Sequence, residues 1–175
     1  FITCDFTSYN GQNRMRIARI LPNGNLDSSF DPGIGPDSNI NTVDIRADGK
    51  IVVGGDFTKF NLKDQSGIAV LNRDGSLSEI FKTGLGLNGS VKKVVVQPDL
   101  KVLVGGLFTE YQGIRVNRIM RLETDGNLDK NFKVENGANA PVYSIALQQD
   151  GKILIGGDFS KFNNLNKNAI VRLNS

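Results

Sequence analysis

Carboxylates recur at one place in the sequence, at intervals that are multiples of 51 residues. Asp56 and Asp158 each follow two glycines and precede a phenylalanine, and Asp5 has the same place in a decayed copy of the motif. Such a set of carboxylates could hold a cation or a polar ligand. Leu107 interrupts the set, and a binding site seldom needs the same residue in every repeat. We therefore favour a structural role for the motif.

The structural interpretation gives each residue of the motif a role. The two glycines allow neighbouring backbones to approach closely, the aspartate caps a loop, and the phenylalanine fills the core between repeats. The positions concerned are Gly54, Gly55, Asp56 and Phe57, then Gly105, Gly106 and Phe108, then Gly156, Gly157, Asp158 and Phe159.

A second group of oxygen ligands lies between Asp125 and Asp129, at alternate positions as in calcium loops. The EF-hand spacing fails, because Lys130 stands where a glycine is required and no glutamate stands at the twelfth place. A hairpin turn is the favoured interpretation. No metal and no cofactor are expected.

Arg19, Arg121 and Arg172 share one repeat position within an otherwise apolar strand. They could face solvent or reach an acidic partner in the adjoining repeat. We favour a structural ion pair over substrate binding. Cys4 stands at a degraded glycine position with nothing nearby to activate its thiol, so we interpret it as incidental.

The composition argues against catalysis. The 175 residues include no histidine and one cysteine, which removes the commonest general base and any intrachain disulfide. The non-repeated stretches 61–66, 112–116 and 163–167 are predicted as loops, and Asp64 is their only carboxylate. Because no base, nucleophile or phosphate cradle emerges, we expect that the chain is not an enzyme.

The charge pattern argues against two classes of partner. The net charge is +3, with lysine and arginine scattered among the acids, and clusters such as Lys92-Lys93 are too small for a nucleic-acid track. Apolar runs are too short to cross a bilayer. We expect no nucleic-acid partner and no membrane insertion.

The elements that position these residues are predicted to be short strands. Val43 and Ile45 alternate with polar residues, as in a half-buried strand. Asp48-Gly49 predicts a two-residue hairpin with positive φ at both residues. The continuous apolar run 51–53 predicts a second strand that is buried on both faces. A third strand is predicted at 68–71 and a short fourth strand before Phe81.

Four antiparallel strands in about fifty residues match the size of a β-propeller blade. A single sheet with two apolar faces cannot bury both, and radial stacking of copies solves this. The prediction is therefore an all-β propeller segment of about 3.4 repeats, with a β-solenoid as the alternative. Its parts are a partial blade 1 (1–33), blade 2 (34–84), blade 3 (85–135) and a partial blade 4 (136–175).

The unit DGKIVVGGDFTKF…GIAVLNRDGSLSEIF resembles the delta-60 repeat of large bacterial surface and secreted proteins. The resemblance covers the whole chain and implies a propeller in an extracellular or cell-surface setting, with no particular chemistry. The departures are local: Leu100 replaces a turn glycine, Leu107 an aspartate, Val70 an arginine and Cys4 a glycine.

Two functions remain open at this point. The first is a non-catalytic structural or adhesive module that binds a protein or a glycan through blade loops. The alternative is a segment of a propeller enzyme acting on glycans, a hydrolase or lyase, whose catalytic residues lie outside this chain. In either case we expect other blades as partners, from the rest of a longer chain or from a second copy. Two copies would supply nearly seven repeats.

Overall fold

The computed structural model describes residues 1–174, and within that range all regular structure is β. Ser175, the last residue of the predicted blade 4, lies outside the described residues. Blade 1 contains four two-residue strands, which are β1 (Ile2–Thr3), β2 (Ser8–Tyr9), β3 (Gln12–Asn13) and β4 (Ile17–Ala18).

Blades 2, 3 and 4 each contain five strands in the same order. Blade 2 has β5 (Ile40–Ile45), β6 (Ile51–Gly55), β7 (Lys59–Phe60), β8 (Lys63–Asp64) and β9 (Ile68–Leu71). Blade 3 has β10 (Val91–Val96), β11 (Val102–Gly106), β12 (Glu110–Tyr111), β13 (Ile114–Arg115) and β14 (Ile119–Leu122). Blade 4 has β15 (Val142–Leu147), β16 (Ile153–Gly157), β17 (Lys161–Phe162), β18 (Leu165–Asn166) and β19 (Ile170–Leu173).

The main sheet of each blade is antiparallel, with strand orders β5-β6-β9, β10-β11-β14 and β15-β16-β19. These repeated sheets confirm the predicted all-β class of propeller blades. The predicted fourth strand is reduced to a single bridge, from Leu71 to Leu77 and from Leu122 to Leu128. It stops there because the chain turns at once, with the Phe132 N–H donating to the Asp129 carbonyl oxygen at 3.2 Å.

The second strand of each blade forms the centre of the core. Val52 and Leu103 are fully buried, as the continuous apolar runs predict. Val52 shares a hydrophobic cluster with Val91, Val94 and Val104 of the next blade. The second strands of blades 2 and 3 therefore pack within their own sheets and against the first strand of the next blade.

The paired glycines make two different close approaches. A Cβ atom on Gly54 would lie 2.5 Å from Cγ1 of Val91 in the next blade, and one on Gly105 would lie 2.7 Å from Cγ1 of Val142. The second glycine acts within its own blade: a Cβ on Gly55 would lie 2.0 Å from the Asn39 carbonyl oxygen, beside a bulge at the start of β5. The first glycine therefore sets the distance between blades and the second admits the bulge.

The turn between the first and second strands differs from the prediction. Gly49 has φ 81°, whereas Asp48 is not in the positive-φ region, so the two-residue hairpin is wrong. The Arg46 N–H donates to the Lys50 carbonyl oxygen at 2.8 Å and closes a three-residue loop, 47–49. In such loops a type I turn precedes one left-handed residue, so only the glycine needs positive φ. Leu100 adopts φ 69° at the same place in blade 3.

The alternation predicted for the first strand also fails in part. Ile45 is 54% exposed, because the blade before it offers only the short strands β1 and β4 for packing. Arg46, predicted on the polar face, is 6% exposed. Its guanidinium pairs with Asp48 at 3.1 Å and donates to the Thr124 carbonyl oxygen of blade 3 at 3.2 Å. Polar partners thus replace solvent at the two terminal nitrogens of the guanidinium, whereas Nε is buried without a hydrogen-bond partner.

The first glycine of the motif provides a matched pair of substitutions. We expect Gly105→Ala to lower the free energy of unfolding by about 2 kcal/mol, because the new methyl group overpacks the contact with Val142. As long as no further blade covers this position, Gly156→Ala should change it by less than about 0.5 kcal/mol, because the nearest atom lies 3.6 Å from the added Cβ. Urea denaturation of both variants measures the difference. Equal effects would show that the blade–blade contact is not what requires the glycine.

Candidate functional site

The connections of each blade divide between two ends of the sheet. The first-to-second and third-to-fourth strand turns share one end, here called the turn end. The small hairpins and the segments that lead into each first strand share the other, the hairpin end. Bridges from Pro36 to Phe60 and from Leu87 to Tyr111 hold each lead-in segment against its hairpin.

The stretches predicted as loops at the hairpin end are in fact two-stranded hairpins. These are β7–β8, β12–β13 and β17–β18, and blade 1 has the same kind of hairpin in β2–β3. Both loop residues have positive φ, for example Asn61 at 50° and Leu62 at 63°. This is the type I′ geometry, which matches the twist of the flanking strands and favours asparagine and glycine.

One residue per blade anchors the hairpin, and the sequence patterns above did not identify it. The Oδ1 atom of Asp37 accepts hydrogen bonds from the backbone N–H groups of Thr58 and Lys59 at 2.8 and 3.0 Å. Asn88 and Asn139 make the same pair of bonds in blades 3 and 4. The signal in the sequence is an Asp or Asn every 51 residues, with Thr or Ser 21 residues later.

The carboxylates of the repeated motif do not form a common site. Asp56 accepts hydrogen bonds from Asn41 and from Ser90 of the next blade, and its carboxylate lies 3.4 Å from Lys92 Nζ. Asp5 pairs with Arg16 at 3.2 Å, and Asp158 accepts a hydrogen bond from the Tyr143 hydroxyl at 3.0 Å. Among residues 1–174, no group of three potential ligands is placed to hold a metal ion. Each carboxylate is tied to different structural partners.

The phenylalanines of the motif lie in the core. Phe57, Phe108 and Phe159 are at most 1% exposed. Leu107, which stands in place of an aspartate, is 41% exposed, so blade 3 lacks the equivalent of Asp56, whose carboxylate links blades 2 and 3.

The acidic partners of Arg19 and Arg121 lie in their own blade, not in the adjoining one as one of the alternatives had it, although Arg19 also donates to the Arg73 carbonyl oxygen of blade 2 at 2.7 Å. Arg19 Nε lies 2.7 Å from Asp27, and Arg121 Nε lies 2.7 Å from Asp129. The pairing is local because the third-to-fourth strand turn brings the residue eight positions later beside the arginine. Arg172 is exposed and makes no ion pair within the described residues.

Asp129 is the most strongly perturbed of these carboxylates, and its side chain has no exposed surface. Its burial would raise the pKa. Lys101 at 2.9 Å, the Asn131 N–H and Arg121 outweigh that effect and lower the pKa to about 2. In blade 2 the corresponding pair is Val70 and Ser78, so the cation and the anion are replaced together.

Large apolar side chains are exposed along the hairpin end. They stand on the hairpins and on the lead-in segments, and they are between 48% and 85% exposed. We call this set the apolar crest; it consists of Ile34, Leu62, Leu85, Ile114 and Leu165.

Leu62 is the most unusual member of the crest. It is 73% exposed and has φ 63°, in the left-handed region that costs a leucine about 1–2 kcal/mol. The same place holds Gly11, Gly113 or Asn164 in the other hairpins. With Ile34, Leu62 lines a shallow cavity of about 290 Å³. Leu62 therefore costs stability and gains little burial in return.

A comparison with family models identifies the repeats. The model described as "Domain of unknown function (DUF5122) beta-propeller" matches residues 2–30, 46–77, 97–132 and 148–175, which is more than half of the chain. The chain belongs to this β-propeller family. No curated protein and no solved structure matches it.

Membership of the DUF5122 family agrees with the observed blades, because each match contains a second strand with its paired glycines or the decayed copy of that motif. The family description specifies a propeller and no activity. In the described part of the chain, no helix is long and apolar enough to span a bilayer.

The buried Asp129 ion pair gives a prediction for stability. We expect Asp129→Ser to lower the free energy of unfolding by about 3 kcal/mol, because Arg121 and Lys101 lose their buried partner. The double variant Arg121→Val/Asp129→Ser reproduces the residues of blade 2. It should lower the free energy of unfolding by less than the single variant does. A smaller loss in the single variant than in the double would contradict this account.

The pH dependence follows from the same carboxylate. The folded pKa of Asp129 lies below the unfolded value near 4. The contribution of this carboxylate to the free energy of unfolding is therefore complete above pH 4 and is lost as the pH falls towards 2. Urea denaturation from pH 6 to pH 2 should show a larger loss in the wild type than in the double variant, which keeps the other carboxylates with a lowered pKa, such as Asp37 and Asp56.

Proposed function

We propose that this chain is a non-catalytic structural and adhesive propeller module that binds a protein surface through its apolar crest. The observation that carries the proposal is Leu62, a strained residue whose side chain is exposed. Backbone strain at a residue whose side chain is not packed in the core is typical of binding surfaces. Exposed apolar side chains favour a protein over a glycan as the target.

The composition supports the non-catalytic part of the proposal. The chain has no histidine, and the carboxylates of the repeated motif are engaged by Asn41, Ser90, Arg16 and Tyr143. An extracellular or cell-surface location is proposed from the resemblance to the delta-60 repeat. Within this proposal the loops supply binding and the blades supply a rigid support.

Leu62→Gly tests both effects that the proposal assigns to Leu62, which are a cost in stability and a contribution to target binding. We expect it to stabilise the chain by about 0.5–1 kcal/mol by removing left-handed strain, and to weaken target binding. Leu100→Gly is the matched control, because it relieves the same strain at the turn end and should leave binding unchanged. Urea denaturation measures the first effect. Binding to an array of collagen, fibronectin, laminin and bacterial and host glycans measures the second.

Two results on the array would overturn the proposal. One is that the wild-type chain binds nothing on it. The other is that binding is unaffected by Leu62→Gly combined with Leu85→Ser, yet is lost in a variant with Leu21→Ser and Ile45→Ser at the turn end. Binding confined to glycans would assign the crest a glycan target and contradict the protein target proposed here.

We also propose that blade 4 docks a further blade of this repeat. Ile68 and Ile119 are at most 1% exposed, whereas Ile170 at the same repeat position is 61% exposed. No side chain of a further blade lies against Gly156, whereas side chains of the next blade lie against Gly54 and Gly105. A docked blade would bury Ile170 as it buries its two counterparts. The blade comes from a longer chain or from a second copy.

The mass of the intact protein in solution tests this docking. We expect either a chain longer than 175 residues or a self-associating species, and Ile170→Asp should weaken association by about tenfold or more. Ile114→Asp, at the crest, is the matched control. A stable monomer of 19.0 kDa at every concentration would contradict the proposal.

A further inference from the structure

A cavity recurs in two blades between the small hairpin and the segment around the repeated phenylalanine, and in blade 3 it extends to the third strand. In blade 2 its volume is about 350 Å³ and in blade 3 about 390 Å³. Both values lie in the range of small-molecule sites. The two cavities occupy equivalent places, so their linings can be compared residue by residue.

The floor of the blade 3 cavity is apolar where that of blade 2 is polar. In blade 2 the Thr83 hydroxyl donates to the Gln65 side-chain oxygen at 3.0 Å. In blade 3 the equivalent residues are Val116 and Val134, and Met120 also faces the cavity. The substitutions remove every polar group of that pair. Methionine adapts readily to the shape of an apolar ligand.

The repeated phenylalanine is also placed differently in blade 3. Each phenylalanine lines the cavity of its own blade, but Phe81 is 2% exposed whereas Phe132 is half-buried. After Phe81 the Lys82 N–H donates to the Asp125 carbonyl oxygen of the next blade at 2.9 Å. The Lys133 N–H instead donates to the Asn131 carbonyl oxygen at 3.0 Å. The Arg121 guanidinium lies 4.8 Å from the centroid of the Phe132 ring, and the half-buried ring also lines the cavity.

The rim of the blade 3 cavity is cationic. Arg115 and Lys130 stand where blade 2 has Asp64 and Glu79, and Lys133 lies beside them. All three are exposed, and none forms an ion pair among residues 1–174. In blade 2 Glu79 is neutralised by Lys63 at 3.0 Å. Glu135 is the one rim acid of blade 3 that is free, since Asp129 is engaged by Arg121 and Lys101.

We propose that the blade 3 cavity binds a medium-chain aliphatic carboxylate, with its chain on Val116, Met120 and Phe132 and its carboxylate between Arg115 and Lys130. An apolar floor beneath an unneutralised cationic rim matches a ligand with one anionic head and an aliphatic body. Blade 2 has neither property at the same place. This site does not depend on the target of the apolar crest.

Decanoate is the probe, with decanol and decyltrimethylammonium as uncharged and cationic probes of the same chain length. The chain has two methionines, so a full chain labelled with ¹³C at the methionine methyl groups reports binding directly. We expect decanoate to shift the Met120 signal saturably and to leave Met15 unchanged. Decanol should bind about tenfold more weakly, and decyltrimethylammonium more weakly still.

Variants that copy blade 2 test the two halves of the site separately. Arg115→Asp/Lys130→Glu should weaken decanoate binding about tenfold and leave decanol binding unchanged. Val116→Gln/Val134→Thr should weaken both ligands. Lys161→Glu/Lys167→Asp removes equal charge from blade 4 and should have no effect on either ligand.

Three results would overturn the proposal. They are no shift of Met120 at millimolar decanoate, equal affinity for decanoate and decanol, and unchanged decanoate affinity in Arg115→Asp/Lys130→Glu. Lys130→Gln provides a milder variant if the double change impairs folding, and its affinity should lie between those of the wild type and the double variant.

Discussion

The second strand of each blade is apolar on both faces, and the rest of the structure depends on burying both of them. One sheet can cover neither face by itself, so each blade needs a neighbour. The blades must approach closely, because a side chain at Gly54 or Gly105 would clash with the first strand of the next blade. The stacked blades, the paired glycines and the buried phenylalanines all follow from this one requirement.

The features of the fold that repeat in sequence could be predicted from it. The apolar run at 51–53 and the phenylalanine at position 57 are buried in every complete copy because each faces the same neighbours. The turn at Asp48-Gly49 could not be predicted, since the same dipeptide fits loops of two and of three residues and the strand register decides between them. The burial of Arg46 depends on Thr124, which lies 78 residues away.

The candidate surface was harder to predict than the fold. Asn10-Gly11 carries the signal of a type I′ hairpin, but Asn61-Leu62 does not, because leucine disfavours the left-handed region. A prediction from propensity therefore treats the segment as an irregular loop. The departure from the local rule becomes visible only when the backbone is known, and such departures are expected at functional sites.

Three polar bonds between the first strands of blades 2 and 3 join residues that are about one repeat apart. The Val94 N–H donates to Thr42 Oγ1 and the Val96 N–H to Asp44 Oδ2, both across 52 residues, and the Asn41 amide donates to the Val91 carbonyl oxygen across 50. The entropy of loop closure is therefore nearly the same for each blade that is added. A new blade can dock as soon as it leaves the ribosome, with its predecessor as the template. Folding can thus keep pace with synthesis, and stability becomes a sum over nearest neighbours, as in a linear polymer of blades.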